Sequence, residues 1–358
     1  MSAGTNTPGA GEQNEAARRS ARVVLVNWKN APLTLRAARS IAPQLRQGDR
    51  LILVDNGSGD DSLDVLAAHL PELRALAGKR PGVGGADVEI VNAGVNDGFG
   101  AGVMAGASDL HEGALVLLNN DAMVREGFLD ALLAPLGDPM VGATTALILL
   151  AGRYREARDG EAVALSGNGP TRWVRLSDDE ARAGLGTILV NSTGNIVDGA
   201  GNGQDRDWLC LASELDAPAE VFGICGGACA IRSDAWEEVG GIRTDLFMYY
   251  EDTDLSYKLH EAGYSVRFVR EAVVDHEHAA SSDATSPMFT RVNARNRLIV
   301  AAEHAAWSVV ANALARSIVR AAREGFRGPA AHGIAQGIAA IPDALRRRHV
   351  RRSHRGGA

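Results

Sequence analysis

An α/β fold on a mostly parallel, mixed sheet flanked by helices is predicted for this 358-residue sequence by three observations. Short β-branched runs alternate with helical patterns through the first half, polar residues gather at the C-terminal ends of those runs, and a helical apolar spacing returns near the end of the chain. The strand runs fall at residues 23–26, 51–54, 88–91 and 114–118, with helical stretches expected at 32–45, 60–70 and 99–110. That alternation is the signature of βαβ units on a parallel sheet. In such sheets ligands bind beyond the carboxyl ends of the strands. Asn27-Trp28 closes the first run, Asp55-Asn56-Gly57 the second, Asn92 with Asn96-Asp97-Gly98 the third, and Asn119-Asn120-Asp121 the fourth. Any one of these is an ordinary turn or cap. Four at equivalent ends point to a ligand site.

Composition sets the class. With 46% hydrophobic and 23% charged residues the chain is an ordinary globular protein. Its net charge of -7 argues against a nucleic-acid partner, which needs a basic face. Three cysteines, Cys210, Cys225 and Cys229, form no CxxC pair, so neither a disulfide framework nor structural zinc is expected. Residues 1–20 lack an apolar core and read as a disordered lead-in. The apolar run at 305–315 is too short for a span, so a cytoplasmic protein is expected. Ile334, Ile338, Ile341 and Leu345 recur at helical spacing before Arg346, Arg347, Arg348, Arg351, Arg352 and Arg355. This stripe reads either as a helix on an anionic membrane surface, at the inner face of the plasma membrane, or as a core-docking helix with a solvated end. Pro342 predicts a kinked or short helix there.

The densest chemistry lies in Met248-Tyr249-Tyr250-Glu251-Asp252-Thr253-Asp254-Leu255 and, downstream, His276-Glu277-His278. Carboxylates and imidazoles together suit a metal-assisted transferase. Acids in the first turn of a helix, here expected to run to about residue 262 before Gly263, are also ordinary capping partners. That reading suits Asp254 and explains the adjacent Glu251 and Asp252 less well. The small residues from Asn96 to Gly102 would let backbone approach a ligand at a helix N-terminus. No GxGxxG opens the first βα turn and no Gly-Lys-Ser/Thr occurs, which disfavours a dehydrogenase or an ATPase.

The ordered series of motifs resembles the family-2 glycosyltransferases of the GT-A fold, especially bacterial rhamnosyltransferase-like members. The matching pieces are residues 23–28, 53–58, 96–102, 117–121, 226–228, 240–241, 247–255, 276–281 and 295–298, spread over about residues 22–300. Two departures stand out: Asn119-Asn120-Asp121 replaces the family's DxD with only its last acid kept, and Met104 stands where many relatives carry Asn.

The resemblance implies a nucleotide-diphospho-sugar donor, a glycan or polyprenyl-linked acceptor and a divalent cation, Mn²⁺ or Mg²⁺. Asp252 would be the catalytic base and Asp121 with His276 the metal ligands, His278 being a second candidate. Asn27, Asp55, Asn96, Gly98, Phe99, Asn119 and Asn120 would hold the donor. Gly226, Gly227, Glu251, Arg295 and Arg297 would contact substrate. The implied function is inverting transfer, most simply of rhamnose from dTDP-rhamnose, in cell-envelope or polysaccharide assembly. A sugar nucleotidyltransferase and a non-catalytic glycan-binding protein remain alternatives, and the oligomeric state is undefined. The expected domains are the lead-in, a catalytic domain at 21–287 with an insertion or flap at 151–216, and C-terminal helices with a basic tail at 288–358.

Overall fold

The computed structural model describes residues 18–78, 85–161, 165–167, 169–277 and 286–355. Residues 1–17 of the expected lead-in and His278 lie outside the described residues. Strands β1 (Ala21–Asn27), β2 (Arg50–Asp55), β3 (Asp87–Asn92) and β4 (Ala114–Leu118) pair in parallel in the order β4-β1-β2-β3. Helices α1 (Ala31–Ile41), α2 (Ser62–Ala77) and α3 (Phe99–Gly106) connect them. Alternate side chains of β1 and β2 feed two cores, as the period of two in a strand requires. Val23, Leu25, Leu51 and Leu53 enter one. Val24, Ile52 and Val54 enter the other. The register places Asn27 beside Asp55 and Asp55 beside Asn92, so the polar strand ends lie level.

After β4 come β5 (Ala122–Val124), helix α4 (Phe128–Leu133) and the fully buried β6 (Val141–Leu150). The described residues of the 151–216 insertion carry secondary structure of their own. β7 (Tyr154–Glu156), β8 (Leu165–Ser166) and β9 (Arg172–Arg175) form a small antiparallel sheet, followed by the short α5 (Asp178–Arg182). β10 (Val190–Ser192) returns to pair with β6, and β11 (Asn195–Val197) pairs with β12 (Gly203–Asp205) as a hairpin. β13 (Glu220–Val221), β14 (Ala228–Arg232) and β15 (Ser265–His276) complete the main sheet, whose order is β13-β15-β6-β14-β4-β1-β2-β3. β14 runs antiparallel to both β4 and β6, which makes the sheet mixed. Between β14 and β15 lie α6 (Ser233–Val239) and α7 (Glu251–Glu261).

Three helices close the chain: α8 (Pro287–His304), α9 (Trp307–Arg323) and α10 (Pro329–Arg355). α10 runs unbroken through Pro342 for 27 residues, longer than the short segment that was one expectation. It crosses α8 closely, because a Cβ on Gly333 would lie 2.0 Å from the Arg291 carbonyl oxygen and one on Gly337 would lie 2.9 Å from that of Arg295. Of the predicted membrane stripe, Ile334 is buried in the helix interface, Ile341 and Leu345 pack on the α8 core, and Ile338 alone is exposed. Three of its arginines bind the protein: Arg347 and Arg351 pair with Glu303, and Arg348 donates to the carbonyls of Ala302 and Ala305, while Arg346 stays exposed beside Asp343. The stripe therefore docks this helix to the protein. Exposed apolar residues gather instead on the outer side of α9 and just after it, at Ile318, Val319 and Phe326, among exposed Arg316, Arg320, Arg323 and Arg327. No described helix is long and apolar enough to cross a membrane.

Candidate active site

A cavity of about 740 Å³ opens at the C-terminal ends of β1, β2 and β4. Trp28, Asn56, Asn96 and Phe99 line it from the first sheet half, with Asn119 and Asn120 at the end of β4. The segment 247–253 and Gly226-Gly227 line it from the other side, and the β11–β12 hairpin contributes Asn195 and Gly203-Gln204-Asp205.

Backbone conformation brings the segment before α7 into the cavity. Phe247, Tyr249 and Tyr250 hold φ of 69°, 67° and 75°, values unfavourable for bulky residues unless the surroundings impose them. The surroundings do: the fully buried Asn296 amide donates to the carbonyls of Leu246, Met248 and Tyr249 at 2.9–3.0 Å. From the front, the Phe99 amide donates to the Phe247 carbonyl at 2.7 Å. A Cβ at Gly98, whose φ is 97°, would sit 1.9 Å from that same oxygen, and one at Gly100 would sit 2.0 Å from the Arg243 carbonyl. The glycine-rich loop is thus small so that two protein backbones can cross. The expected open helix N-terminus for phosphate is partly closed, because the Phe99 amide already has a protein acceptor.

Tyr250 ends this segment and Asp252 begins to show its chemistry. One Asp252 oxygen accepts from the Gly226 amide at 3.2 Å and the other from the Thr253 amide at 2.6 Å. Burial raises its pKa above the ordinary value while those amides pull it back. Glu251 has only its own backbone amide as an offset: burial, then the neighbouring Asp252 charge, push it up to about 8. At neutral pH Glu251 is therefore largely protonated, and it stands beside Asp252, whose charge two backbone amides support. Neither Gly226 nor Gly227 needs glycine to avoid backbone, since an added Cβ would meet side-chain atoms no closer than 3.4 Å.

Asp121 and His276 come together at the end of β5 and β15, with His276 Nε2 2.9 Å from Asp121 Oδ1. The other ring nitrogen, Nδ1, lies 2.7 Å from Asn191 Oδ1. Two ligands about 2.1 Å from an octahedral cation stand about 3.0 Å apart when adjacent. That spacing is also that of an ordinary hydrogen bond; it would suit a divalent cation, with the Asn191 oxygen orienting the imidazole, although neither Asp121 nor His276 is among the residues that line the cavity. A second group, Asp254, Glu303 and His304, also brings its ligand atoms within 4.8 Å. Its charge is already neutralised. Arg243 lies 2.8 Å from Glu303 and 3.4 Å from Asp254, Lys258 lies 2.9 Å from Asp254, and Arg347 and Arg351 cap Glu303. Burial works against the Asp254 charge, yet His304, Lys258 and Arg243 hold its pKa well below the ordinary carboxylate range. This cluster ties α7 to the C-terminal helices.

Other predicted residues occupy different places. Asn96, Gly98, Phe99, Asn119, Asn120, Gly226, Gly227 and Glu251 line the cavity. Asn27 and Asp55 lie buried beside it: Asn27 donates to Asp55 at 2.9 Å and accepts from Thr34 at 2.8 Å, while Ser58 also binds Asp55. They hold the strand ends level rather than lining the space. Arg295 and Arg297 do not line it either. Arg295 donates to the Asp245 carbonyl and Arg297 to Asn202 and Ser317, because both flank the buried stripe of α8. Met104 is likewise away from the cavity, near Gly241. Trp28 and Asn56, marked in the sequence only as strand-end residues, also line it, as do Asn195 and Asp205 of the insertion, to which the sequence assigned no role. The Asn296 clamp had a usable signal: Val292, Asn296, Ile299 and Glu303 share the apolar spacing of α8.

The fold is that of the GT-A glycosyltransferases. A solved structure of GalNAc-T7 with UDP, GalNAc and Mn²⁺ superposes with a TM-score of 0.53 at 15% identity, covering 80% of this chain and 48% of that one. This chain thus spans about half of that structure, and the likeness is one of fold. Residues 23–161 match the model of Glycosyl transferase family 2, and residues 183–310 match that of Glycosyl transferase family group 2. The chain is also 24% identical over 299 residues to N-acetylglucosaminyl-diphospho-decaprenol L-rhamnosyltransferase from two strains of Mycobacterium tuberculosis, covering 80% of this chain and 85% of the relative. It belongs to the family-2 glycosyltransferases and is rhamnosyltransferase-like.

The raised Glu251 pKa has a stability consequence. A buried carboxyl with folded pKa near 8 and an ordinary value of 4.5 penalises folding progressively as pH rises through that window, and the penalty is constant above it. Glu251→Gln is expected to be stabilised relative to the native chain by more at pH 9 than at pH 4.5. The difference should exceed about 1.4 kcal/mol, the worth of one pKa unit. Urea unfolding of both proteins across that range checks it, and parallel stability curves would contradict the assignment.

Proposed function

We propose that the chain is an inverting, divalent-cation-dependent transferase that moves rhamnose from dTDP-rhamnose to a glycan or polyprenyl-linked acceptor in cell-envelope polysaccharide assembly. The observation that carries the reading is the Asp252 carboxylate, held in the cavity by two backbone amides beside a neutral Glu251. The printed name of the mycobacterial relative supplies the sugar and acceptor class.

The acceptor hydroxyl oxygen attacks the anomeric carbon, its proton passes to Asp252, and the bond from that carbon to the diphosphate oxygen breaks with the electron pair leaving on the nucleoside diphosphate. One displacement inverts the anomeric configuration. Asp121 and His276 would hold the cation, and a bound cation would neutralise charge on the leaving diphosphate. The imidazole ligand favours Mn²⁺ over Mg²⁺. Asn56, Asn96, Asn119 and Asn120 are placed for donor contacts, with the exposed ring of Trp28 beside them. Glu251, protonated, would donate to an acceptor or donor oxygen instead of competing for the proton.

Asp252→Asn is expected to lower transfer by on the order of 10²–10⁴ while donor affinity stays within a few-fold. Near-native transfer would remove Asp252 from the mechanism. Asp121→Ala and His276→Ala should each weaken Mn²⁺-dependent donor binding, and activity indifferent to EDTA would end the metal assignment.

The membrane contact moves to the outer face of α9, where Ile318, Val319 and Phe326 are at least half exposed among four exposed arginines. This arrangement suits an anionic lipid surface, with each arginine near it contributing about 1 kcal/mol. A second copy of the same face would bring arginine against arginine. Sedimentation with phosphatidylglycerol–phosphatidylcholine vesicles is expected to carry down the native chain at low salt and not Ile318→Glu/Phe326→Glu, with transfer to a soluble acceptor retained. A native chain that ignores these vesicles would contradict the assignment.

A further inference from the structure

A second cavity, of about 760 Å³, adjoins the first and is built from the 151–216 insertion. Gln204 and Asp205 of β12 line both. The remaining lining includes Trp173 of β9, Thr171, and the turn Asp207-Trp208-Leu209. That turn is firmly built. Asp207 and Leu209 hold φ of 62° and 65° on either side of Trp208, and a leucine in this region is uncommon. Thr193 donates to the Asp207 carboxylate at 2.5 Å, and the Leu209 amide donates to the Val190 carbonyl at 2.9 Å. Arg206 fixes the preceding position by donating to Thr193 and to the carbonyls of Pro218 and Glu220. The turn thus presents an indole from a backbone fixed on both sides.

Indole rings beside a carboxylate, an amide and a hydroxyl form a particular kind of surface. The apolar C–H face of a pyranose ring lies against an aromatic plane, while its hydroxyls bond to carboxylate and amide groups. Among the described residues that line this cavity there is no lysine or arginine to bind a diphosphate or an acidic sugar, so its lining suits a neutral ring.

We propose that this cavity is a saccharide subsite for the acceptor, holding the neutral sugar unit adjacent to the one that receives the transferred residue. It rests on the glycosyl-transfer reading and makes the acceptor a glycan of at least two sugar units. Gln204 and Asp205, shared by the two cavities, sit where the two units join.

The test compares N-acetylglucosamine and glucose with the neutral disaccharides N,N′-diacetylchitobiose, cellobiose and maltose. Binding is read by titration calorimetry, and donor hydrolysis is assayed on the same protein. Two variants accompany the native chain. Trp208→Ala removes the indole; Gly169→Trp fills the cavity from a position where an added Cβ meets nothing within 4 Å and φ is not left-handed. At least one disaccharide is expected to bind about ten-fold or more tightly than its monosaccharide. Both variants should abolish that gain and leave donor hydrolysis within two-fold of native. Equal binding of mono- and disaccharides, or a gain that survives Gly169→Trp, would overturn the proposal. Disaccharide preference without any donor turnover would overturn the transfer reading and leave a saccharide-binding site.

Discussion

One buried amide holds together the part of the molecule on which the chemistry depends. Asn296 of α8 gathers the carbonyls of Leu246, Met248 and Tyr249, and so keeps three non-glycine residues in left-handed backbone. Each such residue costs on the order of 1–3 kcal/mol where the surroundings do not impose it. A hydrophobic side chain at 296 would leave those carbonyls without their donor. The consequences spread outward: Gly98 and Gly100 must lack side chains to pass the same segment, the Tyr250 hydroxyl reaches the Gly203 amide of the hairpin, and Asp252 enters the cavity at the first turn of α7.

Helix α7 is gripped at both faces, and its acids divide accordingly. Asp254 faces the protein interior, where Arg243, Lys258 and His304 surround it. Asp252, two residues earlier and so about 200° around the helix, faces the cavity and has only backbone donors with Thr253. The same helix thus carries one carboxylate stabilised as structure and another left available for a proton. The C-terminal helices hold α7, and with it Asp252, through this grip. Glu303, His304, Arg347 and Arg351 join the cluster at Asp254, and none of them lines the cavity.

How much of this was legible in the sequence follows from what local pattern encodes. The four parallel strands were visible because a strand buried on both faces, such as Val23-Val24-Leu25-Val26, needs apolar residues at every position. The polar ends marked the cavity for the complementary reason. Yet spacing could not tell Asn56, which lines the cavity, from Asp55, which lies buried against Asn27 and Ser58. Adjacent residues at a strand end point opposite ways, and only the neighbouring strand decides which is inside. The glycines at 98 and 100 announced a close approach without saying to what. The tail read two ways because an apolar stripe beside arginines is the same pattern whether a bilayer or α8 covers it. Glu303 and the carbonyls at the end of α8, remote in sequence, decide the matter. The wall formed by β11 and β12 had no clear pattern at all, since short strands of mixed burial carry almost no periodicity.

The central claim is that a single base, Asp252, drives one displacement in one cavity. The stereochemistry of the product tests it most directly. With a nucleotide-sugar donor of defined anomeric configuration, the coupling constants of the anomeric proton and carbon in the isolated product report the new linkage. The account predicts the opposite configuration from that of the donor. A product that retains the donor's configuration would require a second displacement or a front-face route, and would contradict it.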